Sequence, residues 1–188
     1  MPRWEPESRG RLEQAAIALY GERGFENTTV AEIAARAGVT ERTFFRHFAD
    51  KREVLFGGAD ALQDLLVNAV AGSPDSAAPI EVVAIALEAA SAMFQERRDF
   101  ARQRKAVIAA SAELQERELI KLASLAAALA GALRARGVSA PAASLTAEAG
   151  IAVFKVAFER WVTGTNRQDL TRLIRVSLEE LKAVTAGK

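Results

Sequence analysis

The sequence predicts an all-α fold of about nine helices, and three observations carry that reading. Half of the 188 residues are apolar and alanine is abundant, which supplies core material in a helix-favouring composition. Apolar residues recur three and four apart along most of the chain, and no stretch of useful length alternates as a strand would. Glycine, proline and capping residues interrupt that rhythm at intervals suited to helix ends.

The elements come in this order. Leu12, Ala15, Ala16, Leu19 and Tyr20 form the stripe of a first helix that stops near Gly24. Thr28 or Thr29 caps a short second helix with Val30, Ile33, Ala34 and Ala37 inward, and Gly38 ends it. Thr40 caps a short third helix. Asp50 caps a fourth that starts at Lys51 and reaches about Val70, with Gly57-Gly58 inside it. That glycine pair reads either as a soft joint or as a close packing contact. "AGSPDSAAP" (Ala71 to Pro79) breaks the chain. Helices are then expected over Ile80 to Arg98 and Asp99 to Ala110. A longer one runs over Glu113 to Arg136, with Leu122, Leu125, Ala126, Leu129 and Leu133 on one stripe. After "GVSAP" two more cover Ala142 to Thr163 and Gln168 to Thr185. Three short helices ahead of longer, alanine-rich ones divide the chain into a head, residues 1–50, and a body, residues 51–188.

Bulk chemistry narrows the function. The net charge of +1 decides nothing about nucleic acid by itself. No cysteine and a single histidine leave little for a metal site or a nucleophile dyad. No G-x-S-x-G, P-loop or dinucleotide fingerprint is present. The reading is therefore not an enzyme, with no cofactor, no metal and no catalytic residues. "MPRWEPESRG" lacks the apolar run of a signal peptide, and no window holds eighteen consecutive apolar residues. A cytoplasmic protein with no membrane partner is expected.

The head carries the chemistry. On a wheel of about 100° per residue, Phe44 and Phe48 share one side of the third helix. Arg42 and Arg46 fall opposite them, Thr43 lies beside the arginines, and Phe45 and His47 flank. Two turns, roughly 10 Å long, suit a major groove about 12 Å wide. Capped helix, Ala37-Gly38-Val39 turn and second capped helix make a helix-turn-helix, whose second helix enters the groove. Arg42 suits a guanine edge and Thr43 a thymine methyl or a phosphate. Thr29, Thr40, His47 and Lys51 suit phosphates. Between Arg36 and Arg52, five Arg or Lys face two acids, a local +3.

"TTVAEIAARAGVTERTFFRHFADKREVLF" resembles the DNA-binding signature of the TetR/AcrR family of bacterial transcriptional regulators, over roughly Arg11 to Phe56. The resemblance implies a nine-helix homodimer, usually a repressor, with three helices on DNA and the rest forming a ligand-binding and dimerisation body. It implies a cap at Thr40, DNA contacts at Arg42 and Thr43, and phosphate contacts at His47 and Lys51; with Thr29 and Arg46 these make the expected DNA-binding set. Phe45 stands where many members carry tyrosine, and without that hydroxyl it is left outside the contact set. The body resembles the family more loosely; "RQRKAVIAASAELQERELIKLASLAAALAGALRARG" is similar to a subgroup for which acyl-CoA effectors are implied.

In the body, Ile151 and Phe154 on the eighth helix and Leu170, Ile174, Leu178 and Leu181 on the ninth form stripes suited to a two-fold dimer interface or to a monomer core. Met93, Phe94, Phe100, Phe158 and Trp161, with Arg104 for an anionic group, suit either an effector pocket or ordinary packing and a solvated face. The expected partners are a palindromic double-stranded DNA operator, a second copy and a small-molecule effector that is apolar with an anionic group. The rival reading is an all-helical adaptor that binds protein through its head.

Overall fold

The computed structural model describes residues 5–165 and 168–187, with side chains from residue 8 onward. Among them are nine α-helices: α1 (Glu5–Arg23), α2 (Val30–Arg36), α3 (Glu41–His47), α4 (Ala59–Ala71), α5 (Pro79–Ser91), α6 (Arg98–Ala109), α7 (Ala112–Ala135), α8 (Ala140–Thr163) and α9 (Leu170–Thr185). The all-α expectation holds.

Two boundaries differ from the sequence reading. Asp50 does cap the segment after α3, accepting from the Arg52 and Glu53 amides at 2.8 and 3.1 Å. That segment is only a 3-10 turn, Glu53–Leu55, and α4 begins at Ala59. Gly57 and Gly58 thus lie before that helix rather than within it. Arg9 donates to the Gly57 carbonyl, and a Cβ on Gly57 would stand 2.5 Å from Arg9 Nη2 and 3.0 Å from Phe48 Cε1. A side chain there must displace a bonded guanidinium or a buried ring, so Gly57 marks close packing. The fifth helix stops at Ser91 rather than near Arg98. The Ser91 hydroxyl meets Thr171 Oγ1 at 2.5 Å and lies 2.7 Å from the Glu88 carbonyl; the next amides take 3-10 bonds, Met93 to Ala90 and Phe94 to Ser91.

The chain packs as two compact units. The first comprises residues 1–59 and 100–119, the second 60–99 and 120–188. Packing therefore divides the chain at 59/60, not at residue 50, and adds a distant segment to the head. In the first unit Leu12, Ala16, Leu19, Ile33, Phe44, Phe48, Val54 and Phe56 share a core with Val107, Ile108 and Leu114. Ion pairs join the segments: Arg52 to Glu113 at 3.2 Å and Arg117 to Glu53 at 2.6 Å. Arg104 donates from Nε to the Leu55 carbonyl at 2.7 Å, pairs with Glu118 at 3.0 Å, and lies 4.8 Å from the Phe56 ring centroid. Burial pulls its ionisation below the ordinary arginine range, and Glu118 opposes that shift.

In the second unit α5, α8 and α9 pack on one another. Leu170 and Ile174 are wholly buried, and Ile151 and Leu178 nearly so. A residue without surface in the monomer has none to offer a second copy, so these four are corrected from dimer contacts to core. Leu181 and Phe154 are half-buried. The exposed apolar groups of these helices are Leu145 and Val156 on α8 and Val176 and Val184 on α9. Arg136 donates to the carbonyls of Val70, Ser73 and Pro74, closing the C-terminal end of α4. Glu53–Ala71 and Ala140–Thr163 are long and apolar enough by composition to cross a bilayer. The first is broken at its glycines, and α8 buries one face against α5 and α9 while Lys155, Glu159 and Arg160 stay exposed. The second reads as a core helix, and the first is not a continuous helix.

Candidate nucleic-acid interface

The interface is built on caps. Thr29 and Glu32 form a reciprocal capping box at the start of α2. At its other end the Gly38 amide bonds the Ala35 carbonyl at 3.1 Å and the Val39 amide bonds Ala34 at 3.0 Å. Gly38 has φ +68°, the left-handed value such a helix ending needs. That turn aims the chain into α3, where Thr40 Oγ1 accepts from the Thr43 amide at 3.2 Å.

The third helix is two-sided as expected. Phe44 and Phe48 are buried with ring centroids 5.5 Å apart, while Arg42 and Arg46 are exposed. Arg42 makes no hydrogen bond or ion pair among the described residues. Thr43 is half-buried beside it, its hydroxyl 3.1 Å from that of Thr40. Four of the seven expected contact residues, Thr40, Arg42, Thr43 and Arg46, thus come together on one outward arc. His47 stands at its edge, half-buried, with Nε2 2.9 Å from Ser8 Oγ on α1. Ser8 escaped the sequence reading; no motif links it to a residue 39 positions later.

Thr29 and Lys51 are placed differently. The Thr29 hydroxyl accepts from the Glu32 amide and donates to Glu32 Oε2 at 2.9 Å, so its capacity serves the cap. Lys51 Nζ donates to the carbonyls of Phe25, Glu26 and Thr28 and lies 4.3 Å from the Phe25 ring centroid. Its three protons close the turn after α1 rather than pointing outward, which corrects the expected phosphate role of this ammonium. The Lys51 carbonyl accepts from Tyr20 at 2.6 Å, and burial pushes the Tyr20 hydroxyl far above its usual range, with Asp50 adding to the shift.

Electrostatics shrinks the cationic patch. Glu22 pairs with Arg36 at 3.0 Å, and Arg52 sits between Asp50 and Glu113. Hydrogen bonding to Arg36 holds the Glu22 carboxyl below the usual range, and bonding to Arg52 does the same for Asp50. Of the five cations counted in sequence, Arg42 and Arg46 are the two carried on the exposed face of α3.

The expected effector residues do not assemble as one set. Phe94, Phe154, Phe158 and Trp161 form a run of rings in the second unit, neighbouring centroids 5.5 to 5.9 Å apart. Met93 is exposed close by in sequence. Phe100 and Arg104 belong to the first unit, where Phe100 packs on the core and Arg104 serves Leu55 and Glu118. They are corrected from pocket residues to head packing. No group of three or more metal-binding side chains exists among the described residues.

Residues 13–56, which hold α2, the turn at Gly38 and α3, match the model of "Bacterial regulatory proteins, tetR family". Over that segment the chain is similar to the tetR family. The chain is 35% identical over 82 residues to the HTH-type transcriptional regulator TcmR of Streptomyces glaucescens, covering 44% of this chain and 36% of that protein. It is 43% identical over 47 residues to the HTH-type transcriptional repressor KstR2 of Mycobacterium tuberculosis, covering 25% of this chain and 24% of that one. The chain thus spans roughly a third or less of the curated relatives it matches. The fold extends further. FadR from Bacillus subtilis, solved with stearoyl-CoA, superposes with a TM-score of 0.62 at 18% identity, over 92% of this chain and 96% of that one. SmeT of Stenotrophomonas maltophilia, solved with triclosan, gives 0.66 at 21% identity over 94% and 90%. At those identities the chain shares their fold.

Proposed function

We propose that this protein is a ligand-responsive transcriptional regulator, acting as a repressor in the cytoplasm, that binds a palindromic operator as a homodimer. The observation that carries the reading is α3 itself: two buried rings on one face and two exposed guanidinium groups on the other, behind a capped turn. A fork at Arg42 suits guanine O6 and N7. Thr40, Thr43, Arg46 and His47 supply neighbouring contacts, and the helix N-termini supply amides to phosphate. Residues 1–50 form the DNA-binding part, supported from behind by 100–119, and the rest takes effector and partner. A two-fold pair of heads reads half-sites about one helical turn, roughly 34–36 Å, apart or at a multiple of that.

For the second copy, the exposed side chains Leu145, Val156 and Val176 replace the buried ones first considered. For the effector, the ring run Phe94, Phe154, Phe158 and Trp161 supports an apolar ligand, in keeping with the stearoyl-CoA and triclosan bound by two proteins of the same fold. A hundredfold loss of operator affinity on ligand binding requires about 2.7 kcal/mol of preference for the non-binding arrangement.

The test is binding of the full chain to duplexes selected from a randomised library. Arg42→Ala is expected to weaken binding by roughly 1–3 kcal/mol and to relax preference at one base pair. The adaptor reading predicts no selected sequence and no such effect, and that outcome overturns the proposal.

A further inference from the structure

Phe45 is the anomaly of the third helix. It is 55% exposed, whereas Phe44 and Phe48, its companions on the same two turns, are buried. An exposed ring of that size on a short, otherwise polar face leaves more than half of its apolar surface in water. Its position is nonetheless defined. Its centroid lies 5.3 Å from that of Phe44 with the planes at 82°, an edge contact that steadies the ring from below. Arg42 lies three residues back, about 60° away around the helix, and is exposed on the same arc.

A phenyl ring has no donor or acceptor, so it offers nothing to a phosphate oxygen. On the floor of the major groove the exposed apolar group is the C5-methyl of thymine, and Phe is among the side chains that contact it. We propose that Phe45 is a specificity-determining residue that reads a thymine through its C5-methyl group, next to the base read by Arg42. The inference rests on the DNA-binding function proposed above. Phe45 adds no charge, so it contributes sequence preference and leaves the salt dependence of binding unchanged.

The experiment is parallel selection from a randomised duplex library with wild type, Phe45→Ala, Phe45→Tyr and Thr43→Ser. Phe45 is exposed, so its variants are expected to fold; circular dichroism checks this. Wild type and Phe45→Tyr are expected to select a thymine beside the Arg42-dependent base, and Phe45→Ala to keep the remaining motif while losing that thymine. Replacing the thymine by uracil, which removes only the methyl, is expected to weaken wild type about fourfold and to leave Phe45→Ala unchanged. The proposal is overturned if Phe45→Ala keeps the thymine, if the preference disappears in Thr43→Ser instead, or if Phe45→Ala weakens all sequences equally, which marks a sugar contact. If wild type selects no sequence at all, the DNA-binding reading falls and this inference with it.

Discussion

Replacing Arg104 with methionine tests whether residues 100–119 belong to the head. The substitution keeps most of the apolar stem and removes the guanidinium. The Leu55 carbonyl then loses a donor at 2.7 Å, and Phe56 loses the cation 4.8 Å from its ring centroid. A hydrogen bond from a charged donor contributes about 1.5–3 kcal/mol. A partly desolvated cation–π contact adds roughly 0.5–2 kcal/mol. The Glu118 pair contributes less, since that carboxylate is 38% exposed and rehydrates when Arg104 is gone. Against these stands the cost of burying the guanidinium, which methionine avoids. The net expectation is a loss of about 2–3 kcal/mol, or roughly 4–10 °C in melting temperature for a chain of this size. Urea denaturation of the full chain, followed by Tyr and Trp fluorescence and by far-UV circular dichroism, measures it. Glu118→Gln is the control and is expected to cost under about 1 kcal/mol. If Arg104→Met matches wild type within about 0.5 kcal/mol, or Glu118→Gln costs as much as it does, the carbonyl contact is not what joins the segments.

Two further substitutions address the joint after α3. Gly57→Ala is expected to cost about 1–2 kcal/mol by crowding Phe48 and Arg9, whereas Gly58→Ala, whose Cβ would meet nothing within 4 Å, is expected to be neutral or slightly stabilising; thermal melts of both variants decide. Asp50 has a folded-state pKa below its unfolded value of about 3.9, chiefly through its bond to Arg52. Its contribution is therefore complete above that unfolded value and vanishes as pH falls through the folded one. Asp50→Asn is expected to be less stable than wild type at pH 7, by under about 1 kcal/mol given its exposure, with the gap closing below about pH 4 in a denaturation series.

The head was legible because its signals are local. Thr29, Gly38 and Thr40 act within four residues of themselves, and the Phe44/Phe48 spacing states which face is inward. Long-range pairing was not legible. Nothing near Lys51 shows that its ammonium turns back to carbonyls 23 to 26 residues earlier, or that Arg52 meets Glu113. The body failed for a different reason. An amphipathic stripe states that a helix buries a face, not against what, so Leu170 and Ile174 fit an interface or a core; both are buried within the second unit, where α9 packs on α5 and α8. Phe100 and Arg104 stand apart from Phe94 and Phe158 because the chain passes between units at 99/100, which no local signal marks.

The engagement of Arg36, Lys51 and Arg52 within the protein leads to a last measurable consequence. Each α3 presents Arg42 and Arg46 outward, while Arg36, Lys51 and Arg52 are engaged within the protein. If Arg36, Lys51 and Arg52 keep those contacts on DNA, the proposed dimer neutralises about four phosphates' worth of charge through Arg42 and Arg46 of each α3. The logarithm of the binding constant then falls with the logarithm of salt at a slope of about −3.6. If Glu22, Asp50, Glu113 and the α1-turn carbonyls release their partners, up to about ten cations engage and the slope approaches −9. Fluorescence anisotropy with a selected duplex, from 50 to 300 mM KCl, separates the two by more than a factor of two in slope. The shallow value is expected: breaking the Lys51 contacts uncovers three carbonyls of the turn after α1, and breaking the Arg52 pairs loosens the anchorage of the 3-10 turn beyond α3. A slope steeper than about −7 shows that DNA outcompetes these contacts. In that case the head rearranges on binding, and the rings behind α3 are not sufficient to define the contact surface.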